Sequence, residues 1–394
     1  MGLVILVMVL LLKYKKFVME IIRFKQKMKF FGTMKIIGCL ALFVLHQSCK
    51  ENKEFYSLND FGKIDKIDVH THVMTDRNSF ANQAKKDNFR LLNIVVDLSQ
   101  GEEYIKEQYD YCIAQKKNNP EEFEIATSFS IEDWDNPDFT KNTIAWLDKC
   151  FSEGAIAVKV WKNIGMVFRD KNDQLIMVDN PKLDTIFNYL ASKKIPLVGH
   201  LGEPKNCWLP LDEMTTNNDR SYFAEHPQYH MYKHPELPSY EEQIAARDRM
   251  LEKHPNLVFM GAHIGSIEWS VDELAKRLDR FPNMSVDLAA RMGQVFYQTI
   301  ENREKVRAFF ITYQDRLLYA TDLQDDGEGN ANEIQRIIHE RWLSDWQYFV
   351  TDDKIASDLV NGEFQGLKLP KEVVDKIFSH NAKKWLKMFS ANGI

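Results

Sequence analysis

Paired cysteines are missing from this chain of 394 residues. Its five, Cys39, Cys49, Cys112, Cys150 and Cys207, contain no Cys-x-x-Cys spacing, which excludes a zinc ribbon or a thioredoxin-type motif and leaves disulfides no organising part. An excess of positive charge is missing as well. The formal net charge of −6 argues against a general nucleic-acid surface, which needs clustered Lys and Arg, and favours small-molecule partners. No apolar run reaches the roughly twenty residues that cross a bilayer as a helix. What is present is an ordinary globular balance: 44% hydrophobic and 27% charged residues, enough apolar material for a large core. One large domain is permitted, because α/β barrels commonly run past about 250 residues.

The first fifty residues read as an address. Two apolar runs, Gly2 to Leu12 and Ile36 to Leu45, are each too short to span a membrane. The second follows Met34-Lys35 and precedes Ser48-Cys49-Lys50, a basic start, an apolar core and a cleavage point. It resembles a bacterial lipoprotein signal with Cys49 lipidated, against a plain anchor or cleaved signal as the alternative. On that reading residues 1–49 are the signal segment and Met34 is a candidate true start. Residues 50–61 form a polar tether, and the expected location is the cell envelope, with the membrane reached through a lipid anchor.

From Lys63 onward, short runs rich in Val and Ile alternate with longer amphipathic stretches, the pattern of repeated βα units. The candidate strands are 64–70, 91–99, 124–130, 155–161, 195–201, 257–263, 284–290 and 316–322. Candidate helices lie at 102–117, 142–153, 181–194, 240–254, 270–281 and 303–314. Eight such strands point to a single (β/α)8 barrel of the α/β class over residues 62–394. An open doubly wound sheet is the alternative, weakened because no Gly-x-Gly-x-x-Gly turn follows the first strand. The connection 203–239 is too long to be routine and is read as a lid over the barrel mouth. Residues 370–389 form an amphipathic helix expected to seal the outer ring.

Active sites of such barrels are built at the C-terminal ends of the strands, so ionisable residues there demand explanation. The first strand ends in His70-Thr71-His72, and alternation puts both imidazoles on one side, as two ligands of one ion require. Alone, His-x-His is weak evidence. The fourth strand ends with Lys159, the fifth with His200, the sixth with His263 and the eighth with Asp322. Histidine nitrogens with a carboxylate suit zinc and related divalent ions.

With IDVHTHV, AVKVW, PLVGHLGEP, VFMGAHIGS, LLYATDL and SHNAKKWL in place, the sequence resembles the amidohydrolase superfamily. More narrowly, it resembles the amidohydrolase-related group of metal-dependent hydrolases and decarboxylases. The resemblance implies that His70, His72, His200 and Asp322 hold a divalent metal, most simply one zinc ion, and that His263 and Asp322 are catalytic. Lys159 stays open between bridging two ions as a carbamate and binding a substrate carboxylate. Trp161, Glu203, Trp269 and Arg291 are softer candidates for substrate contact, with Arg291 suited to an anion. Packing is the commoner role for the tryptophans. His226, His230 and His234 are spaced by four, but Pro227 and Pro235 break any helix that would align them.

The expected activity is hydrolysis of an ester, lactone or amide bond of a small molecule through a metal-activated water. The alternative is non-oxidative decarboxylation of an aromatic or enol acid, and a rival of another class is a ligand-binding barrel without catalysis. A homo-oligomer is compatible with all three.

Overall fold

The computed structural model describes residues 54–389. Cys49, Met34 and the signal segment lie outside the described residues. The chain divides into two compact units, Met1–Phe55 and Tyr56–Ile394, and only Glu54 and Phe55 of the described residues fall in the first. Among the described residues no helix is long and apolar enough to cross a membrane.

The second unit is built on a curled parallel sheet. Its strands are β1 (Lys66–Val73), β2 (Phe89–Ile94), β3 (Phe123–Ser128), β4 (Ala155–Val160), β5 (Leu197–Gly199), β6 (Phe259–Gly261), β7 (Met284–Asp287), β8 (Leu317–Leu318) and β9 (Leu323–Asp325). They pair in the order β8-β7-β6-β5-β4-β3-β2-β1-β9. The two end strands are successive pieces of one segment. That segment pairs with β7 through Leu317 and Leu318. It then meets β1, where Val69 N donates to Tyr319 O at 3.1 Å and Asp322 N donates to His70 O at 2.9 Å.

The strand pattern explains the layers. Ile67, Val69, Leu92, Ala126, Ala157, Val198, Met260 and Leu318 form one buried cluster on the inner side. Leu91, Phe123, Val158, Leu197, Phe259 and Leu317 face the helices in a larger one. Such strands are buried on both faces, so their sequences are nearly continuous apolar runs. The sequence-expected strands all appear, with later ones shorter. The sixth stops at Gly261 because His263 and Ile264 turn into the left-handed region, and the eighth is interrupted before Asp322, whose φ is also positive.

Helices fill the connections: α1 (Ser79–Asp87), α2 (Glu102–Asn118), α3 (Phe139–Ser152), α4 (Pro181–Lys193), α5 (Asn217–Glu225), α6 (Tyr240–Lys253), α7 (Val271–Arg280), α8 (Met292–Thr312) and α9 (Ala331–Val350). Sequence reading misses α1, α5 and α9. Trp342 and Trp346 of α9 are fully buried, and Trp342 stacks on Phe89 with centroids 4.0 Å apart.

The C-terminal helix is a correction. Residues 371–385 run through a π-helical turn at Lys376–His380, and Ala382, Leu386 and Met388 join the inner cluster. The segment packs against the interior of the sheet and does not only seal the outer ring. The long connection 203–239 is ordered by its own small core of Cys207, Met214, Phe223 and Met231, with α5 and several short 3-10 turns around it.

Candidate metal centre and active site

A bulge places the first two imidazoles. Between the pairs Asp68↔Leu91 and Thr71↔Asn93, β1 carries one residue more than β2. Such a bulge re-aims the side chains that follow it. Asp68 accordingly meets the outer helix, accepting from Trp342 Nε1 at 3.0 Å, while His70 meets Asp287 of β7 and Lys159 of β4. Asp68 also accepts from Thr321 N at 3.1 Å and Thr321 Oγ1 at 2.6 Å, which pins the break in the eighth strand where Asp322 sits.

His200 directly follows Gly199, where a Cβ would fall 2.4 Å from the Phe259 ring, so the chain can pass only with glycine. His263 stands on a tight left-handed turn at φ 59. A Cβ on Gly261 would fall 2.8 Å from Gly265 Cα, and the His263 amide donates to Asp287 Oδ1 at 2.7 Å. Left-handed backbone at His263 and Asp322, both non-glycine residues, is the kind of strain that surrounding structure holds at functional sites.

The side chains converge. Asp322 Oδ1 lies 3.3 Å from His70 Nε2 and 3.2 Å from His72 Nε2, and these three form a group able to hold one ion. Donors at tetrahedral positions 2.0–2.1 Å from zinc are separated by about 3.3 Å, the spacing seen here. His263 joins them, its ring centroid 4.9 Å from His70 and its Nδ1 4.0 Å from Asp322 Oδ2. His200 lies outside that tight trio, with its ring 4.1 Å from that of His263. Its Nε2 is buried without any hydrogen-bond partner. A buried ring nitrogen left without a partner beside three converging donors fits a missing ion, so the residues present suit a divalent metal.

Hydrogen bonds at the other ring nitrogens set the tautomers. His72 Nδ1 lies 2.8 Å from Ile94 O and His263 Nδ1 lies 3.0 Å from Ala289 O. A nitrogen facing a carbonyl must carry the proton, so both rings offer Nε2 as a lone pair. His70 Nδ1, 2.9 Å from Asp287 Oδ2, does the same through a carboxylate.

Burial, with Lys159 nearby, lowers the pKa of His70; burial and Lys162 hold His200 well below the usual range; burial and His200 do so for His263. Burial alone would push Asp322 up, but His263, His70 and His72 hold it well below the usual carboxylate range. Lys159, wholly buried with Nζ 3.2 Å from His70 Nε2, is pushed down to about 8 by that burial.

A cavity of about 370 Å³ opens onto this group, lined by His200, His263 and Asp322 with Lys162, Tyr222 and Arg291 among the rest. Glu203 lines it too, in a buried ion pair with Lys162, and its other oxygen is 3.8 Å from His200 Nε2. Trp161 stands edge-on to His200 at 6.3 Å between centroids. Trp269 does not join them. It is partly exposed on a separate cavity of about 220 Å³, with its Nε1 donating to Tyr240 Oη. His226, His230 and His234 do not converge either: α5 ends at Glu225, and His230 and His234 spend Nε2 on the carbonyls of Leu209 and Pro227.

Sequence reading missed Asp287, Asp68 and Lys162. Asp287 carried the signal that found the others, an ionisable residue at the end of an apolar strand. Asp219 and Tyr222, which line the cavity from α5, carried none.

A family profile described as amidohydrolase matches residues 132–388. The chain belongs to the amidohydrolase family. Members of this family typically depend on a metal, and the match includes β4 through β9, while β1 with His70 and His72 precedes it. No curated protein matches the chain. Among solved structures, 2,6-dihydroxybenzoate decarboxylase from Rhizobium is 13% identical with a TM-score of 0.48, covering 82% of this chain and 99% of that one. 5-Carboxyvanillate decarboxylase from Sphingomonas paucimobilis is 10% identical with a TM-score of 0.46, covering 82% and 99%. 4-Oxalomesaconate hydratase from Rhodopseudomonas palustris is 12% identical with a TM-score of 0.44, covering 82% and 95%. Likenesses this remote bear on neither reaction nor substrate.

Proposed function

We propose that this amidohydrolase is a divalent-metal-dependent hydrolase that cleaves an ester, lactone or amide bond of a small molecule. The observation that carries the reading is the convergence of His70, His72 and Asp322 beside a buried His200 whose Nε2 has no partner. His70, His72, His200 and Asp322 would hold the ion, zinc first among the candidates. Such an ion, when bound, lowers the pKa of a water and polarises a carbonyl.

Asp322 is the base for the attacking water, since it is ionised at neutral pH and lies against both His70 and His72. His263, with Nδ1–H committed to Ala289 O, presents Nε2 as an acceptor. It therefore takes a proton and hands it to the leaving group, whereas stabilising an oxyanion would need an N–H that the resting ring does not offer. One ion is favoured over two. In the other group of ligand-type residues, His70, His263 and Asp287, the carboxylate is already taken by His70 Nδ1 and by the backbone amide of His263.

The curled sheet is best read as a closed (β/α)8 barrel, with residues 62–394 as its domain and 203–239 as a lid that shields the cavity from bulk water. Lipid attachment at Cys49, the tether 50–61 and a place in the cell envelope remain part of the proposal. Decarboxylation is the second reading, favoured by one observation: the cations Lys159 and Arg291 stand beside the centre and could grip a carboxylate.

Hydrolysis in heavy-oxygen water tests the choice. Label from water in the acid product supports the hydrolase; carbon dioxide released from an aromatic acid, with no label gained, overturns it.

A further inference from the structure

No hydrogen bond joins Glu203 to His200, although both are buried and face each other. Glu203 Oε2 stands 3.8 Å from His200 Nε2, just beyond hydrogen-bonding distance. Among the described residues neither atom has a hydrogen-bond partner: His200 Nε2 is buried without one, and Glu203 accepts through Oε1 alone, from Lys162 Nζ. Lys162 is buried as well and is held on two sides. Its Nζ lies 5.1 Å from the ring centroid of Trp161, just past β4, and 4.9 Å from that of Tyr229. Tyr229 belongs to the connection 203–239 and is itself pinned, with its carbonyl accepting from Cys207 Sγ at 2.9 Å and its ring within 8° of parallel to that of Tyr222.

A carboxylate left to itself beside a buried imidazole closes on it, because a hydrogen bond to an ionised group is about twice as strong as a neutral one. That contact would place the ring proton of His200 on Nε2, the atom an ion needs as a lone pair. The ion pair prevents the closure. Lys162 takes Oε1, the rings of Trp161 and Tyr229 fix the ammonium, and Oε2 stops short of His200.

We infer that Lys162 is a positioning residue for the metal centre, holding the Glu203 carboxylate off His200 so that Nε2 stays open to the ion. The inference rests on the reading of His200 as a ligand. It gives the connection 203–239 a part in building the centre, since Tyr229 closes over Lys162 and Cys207 holds Tyr229. It also separates Lys162 from an ion pair that serves the fold alone. Removing only the cation frees the carboxylate to take His200, whereas removing both partners takes the competitor away and leaves a pair of apolar side chains, a replacement that buried ion pairs often tolerate.

Competition between a chelator and the purified full chain for zinc reads the affinity, with circular dichroism as the check of fold. Lys162→Met should weaken zinc binding by about ten- to a hundred-fold, the range for losing a group that orients a ligand. Lys162→Gln, which keeps a donor for Glu203 and loses the charge, falls between the two and carries the test if the Met variant does not fold. Lys162→Met combined with Glu203→Met should return to the affinity of the original chain. Zinc binding that is unchanged or tighter in the folded single variants overturns the inference, the tighter case because Glu203 then serves as a ligand itself. A loss in the double variant as large as in the single one overturns it too, since the pair would then act only as a support. An original chain that binds no zinc sinks the metal reading together with the inference, and that failure is told apart from the others before any variant is made.

Discussion

The carboxylate of Asp287 accepts a hydrogen bond from His70 Nδ1 at 2.9 Å, although the two residues stand 217 positions apart in the chain. Its other oxygen accepts the backbone amide of His263 at 2.7 Å. One buried side chain of β7 therefore fixes the tautomer of one imidazole and the backbone turn of another.

Asp287→Asn reverses the first of these. An amide nitrogen placed opposite His70 Nδ1 forces that nitrogen to accept, which moves the ring proton to Nε2, where a lone pair is needed. Metal affinity should fall by about ten- to a hundred-fold while the fold is kept. Chelator competition followed by circular dichroism checks both, and unchanged affinity would count against the orienting role.

Gly261→Ala acts on the turn. Its Cβ would meet Gly265 Cα at 2.8 Å, backbone against backbone, so the left-handed stretch carrying His263 must shift. Stability should drop by about 1–3 kcal/mol in urea unfolding. In steady-state assays kcat should fall more than KM changes, since His263 is placed for proton transfer and not for binding.

Asp345 gives a pH-dependent prediction away from the site. It is buried in α9, accepts from Tyr319 Oη at 2.9 Å, and burial pushes its carboxyl from 3.8 up to about 6. A folded-state pKa raised in this way gives stability that is fully present below pH 3.8 and lost as the pH rises through about 6. Asp345→Asn can still accept from the tyrosine and carries no charge. Its stability relative to the original chain should therefore rise between pH 4 and 6 and level off above, by on the order of 2–3 kcal/mol. Urea unfolding at pH 5 and pH 7.5 measures it; a difference that does not grow with pH contradicts the burial account.

Strand ends were legible because burial on both faces makes a strand a near-continuous apolar run, and a histidine or aspartate at its end breaks that run. His70, His72, His200, His263 and Asp322 all announced themselves so. The bulge in β1 was not legible, since it is a property of pairing with β2 and leaves no mark in IDVHTHV. Helix α9 carries its two tryptophans among charged residues, which blurs its apolar face. The cavity walls contributed by α5 lay in a connection without periodicity, where tertiary packing around Cys207 and Phe223 decides the structure. Trp269 shows the opposite failure: an aromatic near a strand end in sequence is turned away to stack under Lys205, 3.9 Å from the ring centroid.

The central claim is one divalent ion shared by four side chains. Anomalous diffraction at the zinc edge, on crystals of the zinc-loaded chain and of His200→Ala, tests it most directly. The account predicts a single strong peak within bonding distance of His70 Nε2, His72 Nε2, His200 Nε2 and Asp322, weakened or lost in the variant. A peak elsewhere, two peaks of equal strength, or a peak untouched by His200→Ala would contradict it.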